Sequence, residues 1–471
     1  MEQAILQFMD KLEASKVPMH ALLLWHNGQM LCEGYYAPFK KGDLHRMFSI
    51  CKSLNALAIG ILEEEGKLSL QDPIVKYFPE KLPEQVHPFL ASMTIENMLM
   101  MRTCHASTTY KYNGDIEWVE SFFTTPPSHK PGTVFHYDTS AAHVLCMLVE
   151  KLSGKPMIDF LKEKVLEEIG WSKDSYMLQN EFGDPQGGSG LMCTPMDLLL
   201  LGRLLMNQGS WNGKQLLPAD YVKKATSNLT PNLPTGAVVS EQQGYGYQIW
   251  VGEKDNFVLY GMGGQLCICF PKHNFICVTC ADSQEFGGGN QFIYNALYET
   301  ILPKLEKGIS LGGLTEAVSD KCNALALAPI ATSLRTETVL DKINGITYHI
   351  DTLNAPGFSD IRFDFADNSN EGMLTYHYSG KECKLPFGLT SCVESSFPVY
   401  EQRCATSAAF LESNTLYLKS HIIDTSVGCI SMEFVFGTTV DGKNDVTIFL
   451  KKKEETMFKE YEGHLYGVCT E

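Results

Sequence analysis

The chain has 471 residues, 44% of them hydrophobic and 20% charged, a balance that supplies large apolar cores and excludes disordered and collagen-like classes. Its 38 Lys and Arg against 55 Asp and Glu leave a formal charge of −17, so the average surface repels phosphate backbones and anionic bilayers. Neither nucleic acid nor a membrane is an expected partner.

At roughly 150 residues per domain the length allows one large unit and one small. No run approaches the roughly 18 apolar residues of a membrane span, and the Leu-rich stretch at 198–205 is broken by Arg203. The opening MEQAILQFMDKLEASKVP carries acids and a helical apolar rhythm where a signal peptide needs a basic start, so it reads as an ordinary first helix. Fifteen scattered cysteines point to reduced thiols and a cytoplasmic protein. The tightest group, Cys267, Cys269, Cys277 and Cys280, reads as buried strand cysteines in two runs joined by a turn rather than as zinc ligands. Thirteen histidines show no metal-ligand spacing.

In chain order, two strand-like runs meet at Asn27-Gly28, a hairpin signal. Residues 49–65 carry the apolar stripe of a long buried helix that Gly66 terminates. Helical patterns dominate from 92 to 206, strands follow from 244, and a helix is expected at 290–306. This order implies an α+β domain over 1–307 whose antiparallel sheet is completed from both ends of the chain around an all-helical subdomain. Residues 308–336 look like a linker. Short alternating strands over 337–471 predict a small C-terminal antiparallel barrel or sandwich.

Ser49-Ile50-Cys51-Lys52 sets a hydroxyl and an amine one turn apart at the start of the buried helix. A serine becomes nucleophilic when a base takes its proton, and a lysine is such a base when desolvation favours its neutral form. The helix start also offers a backbone N–H to an oxyanion. Alone, the spacing reads more simply as an N-cap serine followed by a solvated lysine.

Five blocks in order, MFSICKSLNALAIGILEEEGKLSLQDPIVKYFPE, TIENMLMMRTCHA, PGTVFHYDTSAAHVLCMLVEKLSGKPMIDFL, GGSGLMCTPMDLLLLGRLLMNQG and YGMGGQLCICFP, change that reading. Over roughly residues 15–305 the sequence resembles the serine β-lactamase and penicillin-binding-protein-like hydrolases, in particular the class C-like esterase, D-aminopeptidase and amide-hydrolase branch. The resemblance implies Ser49 as nucleophile, Lys52 as base and Tyr137 as the proton relay to the leaving group. Thr139 stands where the family's Tyr-x-Asn element has Asn. The family's last element, Lys-Thr-Gly or His-x-Gly, corresponds to Met262-Gly263-Gly264, with Tyr260 just upstream. By the same analogy the N–H of Gln265, or of Gly264 if the alignment slips by one, joins that of Ser49 in the oxyanion site.

The missing cation at Met262 removes a substrate-carboxylate contact worth roughly 1.5–3 kcal/mol, so a neutral ester or amide fits better than a β-lactam. Tyr110, Tyr112, Trp118, Tyr245 and Tyr247 are candidate lining residues, two of which are expected at the pocket. His105 lies in a segment that in these hydrolases runs near the cleft and reads equally as a hydrogen-bonded structural histidine, while Cys51 reads as inert packing. The implied activity is hydrolysis of an ester, amide or peptide substrate through an acyl-enzyme, without metal or organic cofactor. An acyltransferase or a catalytically weak binding or sensor protein on the same scaffold is the alternative. The C-terminal segment resembles the small lipocalin-like barrels appended to some D-aminopeptidase-like members. Oligomeric state has no sequence signal.

Overall fold

A computed structural model describes residues 1–112, 115–233, 236, 238–310, 312–331, 343–351, 357–365, 370–453 and 458–469. The chain divides into two compact units, Met1–Leu325 and Ala326–Glu471.

The first unit is built on a six-stranded antiparallel sheet. Strands β1 (Met19–His26) and β2 (Gln29–Tyr35) form a hairpin whose turn places Asn27 and Gly28 at φ of 49° and 88°, the left-handed pair that a two-residue turn requires. The other four strands are β3 (Trp250–Gly252), β4 (Asn256–Gly261), β5 (Gln265–Phe270) and β6 (Phe275–Ala281). Their order, β2-β1-β6-β5-β4-β3, seats the first strand against the last. The sheet is thus completed from both ends of the sequence.

Every residue of β1, β5 and β6 is buried, because helices cover both faces of the sheet. Alternate residues diverge: Leu23, Trp25, Val278 and Cys280 join one core, while Leu22, Leu24, Cys277 and Ala281 join the other. On the second side lie α1 (Glu2–Ser15) and α6 (Gly289–Thr300). The first side receives α5 (Pro195–Met206) and, behind it, a helical block containing α2 (Ile50–Glu64), α3 (Trp118–Thr124) and α4 (Thr139–Ser153). Local signals fix the ends of these helices. Thr194 and Asp197 form a reciprocal capping box at α5, and Gly154 closes α4 in the left-handed conformation.

The same alternation separates the four cysteines of the strand cluster. Cys267 and Cys269 lie on the face shared with Cys280, whereas Cys277 opposes Ile268 on the other. They do not converge on a common centre. All fifteen thiols are unbridged.

Within the segment expected as a linker, Glu316–Asn323 forms helix α7, with Val318, Cys322 and Leu325 buried in the second core. Its Gly and Ala content hid three apolar residues spaced about a turn apart.

In the second unit the strands are β7 (Thr347–Ile350), β8 (Phe358–Phe365), β9 (Glu371–Tyr378), β10 (Lys381–Gly388), β11 (Val393–Phe397), β12 (Gln402–Glu412), β13 (Thr415–Ile423), β14 (Val427–Thr438), β15 (Asn444–Lys453) and β16 (Gly463–Val468). Nine of them close a barrel, β10-β9-β8-β7-β16-β15-β14-β13-β12, through a parallel bridge of Gly388 with Ser407, while β11 pairs outside β12. Phe363, Phe387, Phe434, Tyr376 and Tyr461 belong to its packed core. The architecture is α+β with a C-terminal β-barrel. Among the described residues no helix is long and apolar enough to cross a membrane.

Candidate active site

Helix α2 begins abruptly. Phe48 is held at φ 45°, left-handed for a bulky residue, by burial and by a bridge to Gly190. This turn presents Ser49 at the N-cap with its side chain part-exposed, while Lys52 follows one turn on, 1% exposed. Lys52 Nζ donates to Ser49 Oγ at 2.8 Å and to the Gly188 carbonyl at 2.5 Å. The alternative of an N-cap serine with a solvated lysine is therefore excluded by burial.

The Gly188 carbonyl comes from a loop, residues 184–190, that is tied to α2 at several points. Asn55 Nδ2 donates to the Gly187 carbonyl at 2.6 Å, and so does the Cys51 thiol at 3.2 Å. Burial pushes that thiol up to about 11, which leaves it an inert packing group. Arg46 Nη2 reaches Gln186 Oε1 at 3.3 Å.

Tyr137 arrives from the segment before α4. The ring centre lies 4.9 Å from Lys52 Nζ, and side-chain interactions with Ser49 and Trp250 favour its ionised form. Burial outweighs them and holds the phenol above its ordinary range. Its position is set by Asp138, the fully buried N-cap of α4, which accepts from the N–H of Ser140 at 2.9 Å and from Thr103 Oγ1 at 3.1 Å. Burial lifts the Asp138 carboxyl to about 6 against those hydrogen bonds. Thr139 opens α4, and its methyl occupies the space a side chain at 188 would need.

The turn between β4 and β5 lies beside the serine. Gly261 packs so closely on the Met47 carbonyl that a Cβ there would come within 2.2 Å. Met262, Gly263 and Gly264 make the turn, with φ of 82° and 95° at the glycines. Gln265 is fully buried, and its amide is committed to backbone: Nε2 donates to the carbonyls of Met262 at 2.7 Å and Ala281 at 2.9 Å, and Oε1 accepts from Ala281 N at 3.0 Å. Only its main chain is left for a substrate.

Rings wall this region. Trp250 lies 5.5 Å from Tyr137, 5.1 Å from Tyr260 and 5.2 Å from Tyr245 between centres. Of the five candidate aromatics, two of which were expected at the pocket, only Tyr245 joins this group. Tyr247 hydrogen-bonds Glu96 within the helical block, Tyr110 stacks on Trp118 at 3.9 Å beside His143, and Tyr112 is exposed. Although two residues apart, Tyr245 and Tyr247 join different cores. His105 packs edge-on to Phe122, and burial lowers it to about 4, in keeping with a structural role.

Two contributors carry little sequence signal. The Gly188 acceptor is a main-chain atom, marked only by the run Gly187-Gly188-Ser189-Gly190. Glu241 is 2% exposed, accepts from Asn290 Nδ2 at 2.9 Å, and is raised by burial to about 7; its charge acts on both Tyr137 and Tyr260.

Fold and site together define an enzyme built on the β-lactamase and penicillin-binding-protein scaffold. Residues 1–288 match the model of the Beta-lactamase family, and the chain belongs to that family. It is 23% identical over 279 residues to a 6-aminohexanoate-dimer hydrolase of Paenarthrobacter ureafaciens, covering 55% of this chain and 71% of the relative. Among solved structures it resembles a putative 6-aminohexanoate-dimer hydrolase from Bacillus anthracis, with TM-score 0.54, 22% identity, and 64% and 82% of the two chains covered. It also resembles EstCE1, a hydrolase with promiscuous acyltransferase activity, with TM-score 0.50, 16% identity, and 63% and 99% covered.

Proposed function

We propose that this protein is a serine hydrolase that cleaves an ester or amide bond of a small molecule or peptide through an acyl-enzyme on Ser49. The observation that carries the reading is the burial of Lys52 with its amine 2.8 Å from Ser49 Oγ. Burial disfavours an ammonium, and a neutral amine has a lone pair for the serine proton while its N–H still bonds the Gly188 carbonyl.

Lys52 takes the proton from Ser49 as Oγ attacks the carbonyl carbon. The oxyanion is met by the N–H of Ser49 and that of Gln265 or Gly264. Tyr137 protonates the leaving group and recovers its proton from Lys52. Water, deprotonated by the same pair, then releases the acyl group. No step calls on a cofactor. The catalytic activity is assigned to the first unit, Met1–Leu325, which takes in helix α7 of the segment expected as a linker, and the barrel belongs to the second unit. The unbridged thiols support a reducing, cytoplasmic setting.

Met262 and the aromatic wall favour neutral substrates, and the name of the Paenarthrobacter relative points toward amides. Met262 in place of a cation and Thr139 in place of an amide also motivate a second reading, a binding or sensor protein. Incubation with a fluorophosphonate and with p-nitrophenyl acetate separates the two. A Ser49 adduct and turnover, both lost in Ser49→Ala, are expected; the absence of labelling between pH 6 and 9 favours the sensor. Transfer to an added alcohol or amine would make the protein an acyltransferase.

A further inference from the structure

Away from the serine, Glu117, His143 and Asp184 bring one imidazole nitrogen and two carboxylate oxygens within 4.8 Å of one another. The three come from different elements: Glu117 precedes α3, His143 lies on the second turn of α4, and Asp184 begins the 184–190 loop. His143 is fully buried, and neither ring nitrogen has a hydrogen-bond partner. A polar ring sealed in the interior in this way is costly without a ligand. The Pro185 carbonyl adjoins the ring without completing a hydrogen bond, and Trp118 covers it edge-on with ring centres 5.2 Å apart.

We propose that Glu117, His143 and Asp184 form a binding site for a first-row divalent transition cation, which ties the 184–190 loop to the helical block. One imidazole and two carboxylates suit such an ion better than calcium or magnesium, which take oxygen ligands. Zinc bonds of about 2.0–2.2 Å put tetrahedral donors roughly 3.3 Å apart, so side-chain closure of about an ångström completes the set. Glu117 and Asp184 are both part-exposed and leave room for water as a further ligand.

The groups that would orient these ligands are already placed around them. The N–H groups of Val119 and Glu120 donate to Glu117 at 2.8 and 3.0 Å and fix its carboxylate. The Pro185 carbonyl stands ready for the distal imidazole N–H, the arrangement that orients metal-bound histidines. Lys81, 31% exposed and 2.8 Å from Glu117, is the counter-charge that the cation displaces toward solvent.

The test uses the full chain, cleared of metal by chelation and titrated with Zn²⁺ alone in equilibrium dialysis. Saturable uptake of one equivalent is expected. Asp184→Asn, on a part-exposed loop, should weaken binding at least tenfold, and His143→Gln should remove it. The Co²⁺ form should show ligand-field bands without the intense near-ultraviolet charge transfer of cysteine ligation. The proposal is overturned if the unsubstituted chain shows no saturable uptake, if Asp184→Asn binds Zn²⁺ as well as it does, or if the cobalt spectrum is that of a thiolate site.

Discussion

Glu241 shows what a single buried acid does to a site of this kind. In the unfolded chain it titrates near 4.5; in the folded protein burial moves it to about 7. A raised carboxyl favours folding only while it is protonated, so its contribution is fully present below the lower value and is lost as pH rises through the higher one. Glu241→Gln stays neutral and still accepts from Asn290. It should therefore stabilise the protein by on the order of 2–3 kcal/mol at pH 8 and by severalfold less at pH 5, read from thermal or urea unfolding at the two pH values. Equal gains at both would mean that the carboxyl is not perturbed. At this scale the sequence was informative where a residue type is tied to its chemistry. Ser49, Lys52 and Tyr137 stand out in blocks, and the structure gathers them. Glu241 does not, because burial comes from the fold around it and an acid in EQQGYGY carries no mark of that.

The loop of residues 184–190 is the element that connects most of the site. It supplies the carbonyl for Lys52, receives the Asn55 amide and the Cys51 thiol, and carries Asp184 at its start. Gly188 is pressed against α4: an added Cβ would stand 2.2 Å from Thr139 Cγ2 and 3.0 Å from the Thr139 carbonyl. Gly188→Ala should force the loop outward and pull its carbonyl from the amine. The expected result is a stability loss of about 1–3 kcal/mol with turnover reduced at least tenfold, measured by melting and by steady-state ester hydrolysis. Wild-type turnover in this variant would show that the carbonyl does not position the base.

Element boundaries were legible where capping chemistry speaks, as at Gly66, whose φ of 71° follows the end of α2. They were obscure where burial comes without pattern. The buried run of β12, Cys404 through Phe410, is mostly Ala, Ser and Thr, so it lacks the alternation by which β8 and β9 are recognised. Strand β10 was masked by Pro386, although that residue sits in register with Met373.

At the scale of the whole molecule, the two units have separate cores. Both apolar clusters of the six-stranded sheet draw on residues up to Leu325, and the third draws on residues 343–469. Independent cores are the mark of parts that can fold alone. A chain ending at Leu325 should therefore unfold in a single cooperative transition by circular dichroism and still take a fluorophosphonate on Ser49. Loss of cooperativity would show that the barrel completes the first unit.

The seating of β1 against β6, in a register that runs from Met19 with Ala281 to His26 with Phe275, also dictates timing during synthesis. A nascent chain emerges from the ribosome with its N-terminal hairpin first, yet the neighbour of that hairpin is made some 250 residues later. Throughout this interval a strand whose centre, Ala21–Trp25, is wholly apolar has one unsatisfied edge, the kind of surface that holdase chaperones cover. Production of the protein should therefore depend more on chaperone supply than its barrel does, since the barrel's strands pair largely with sequence neighbours.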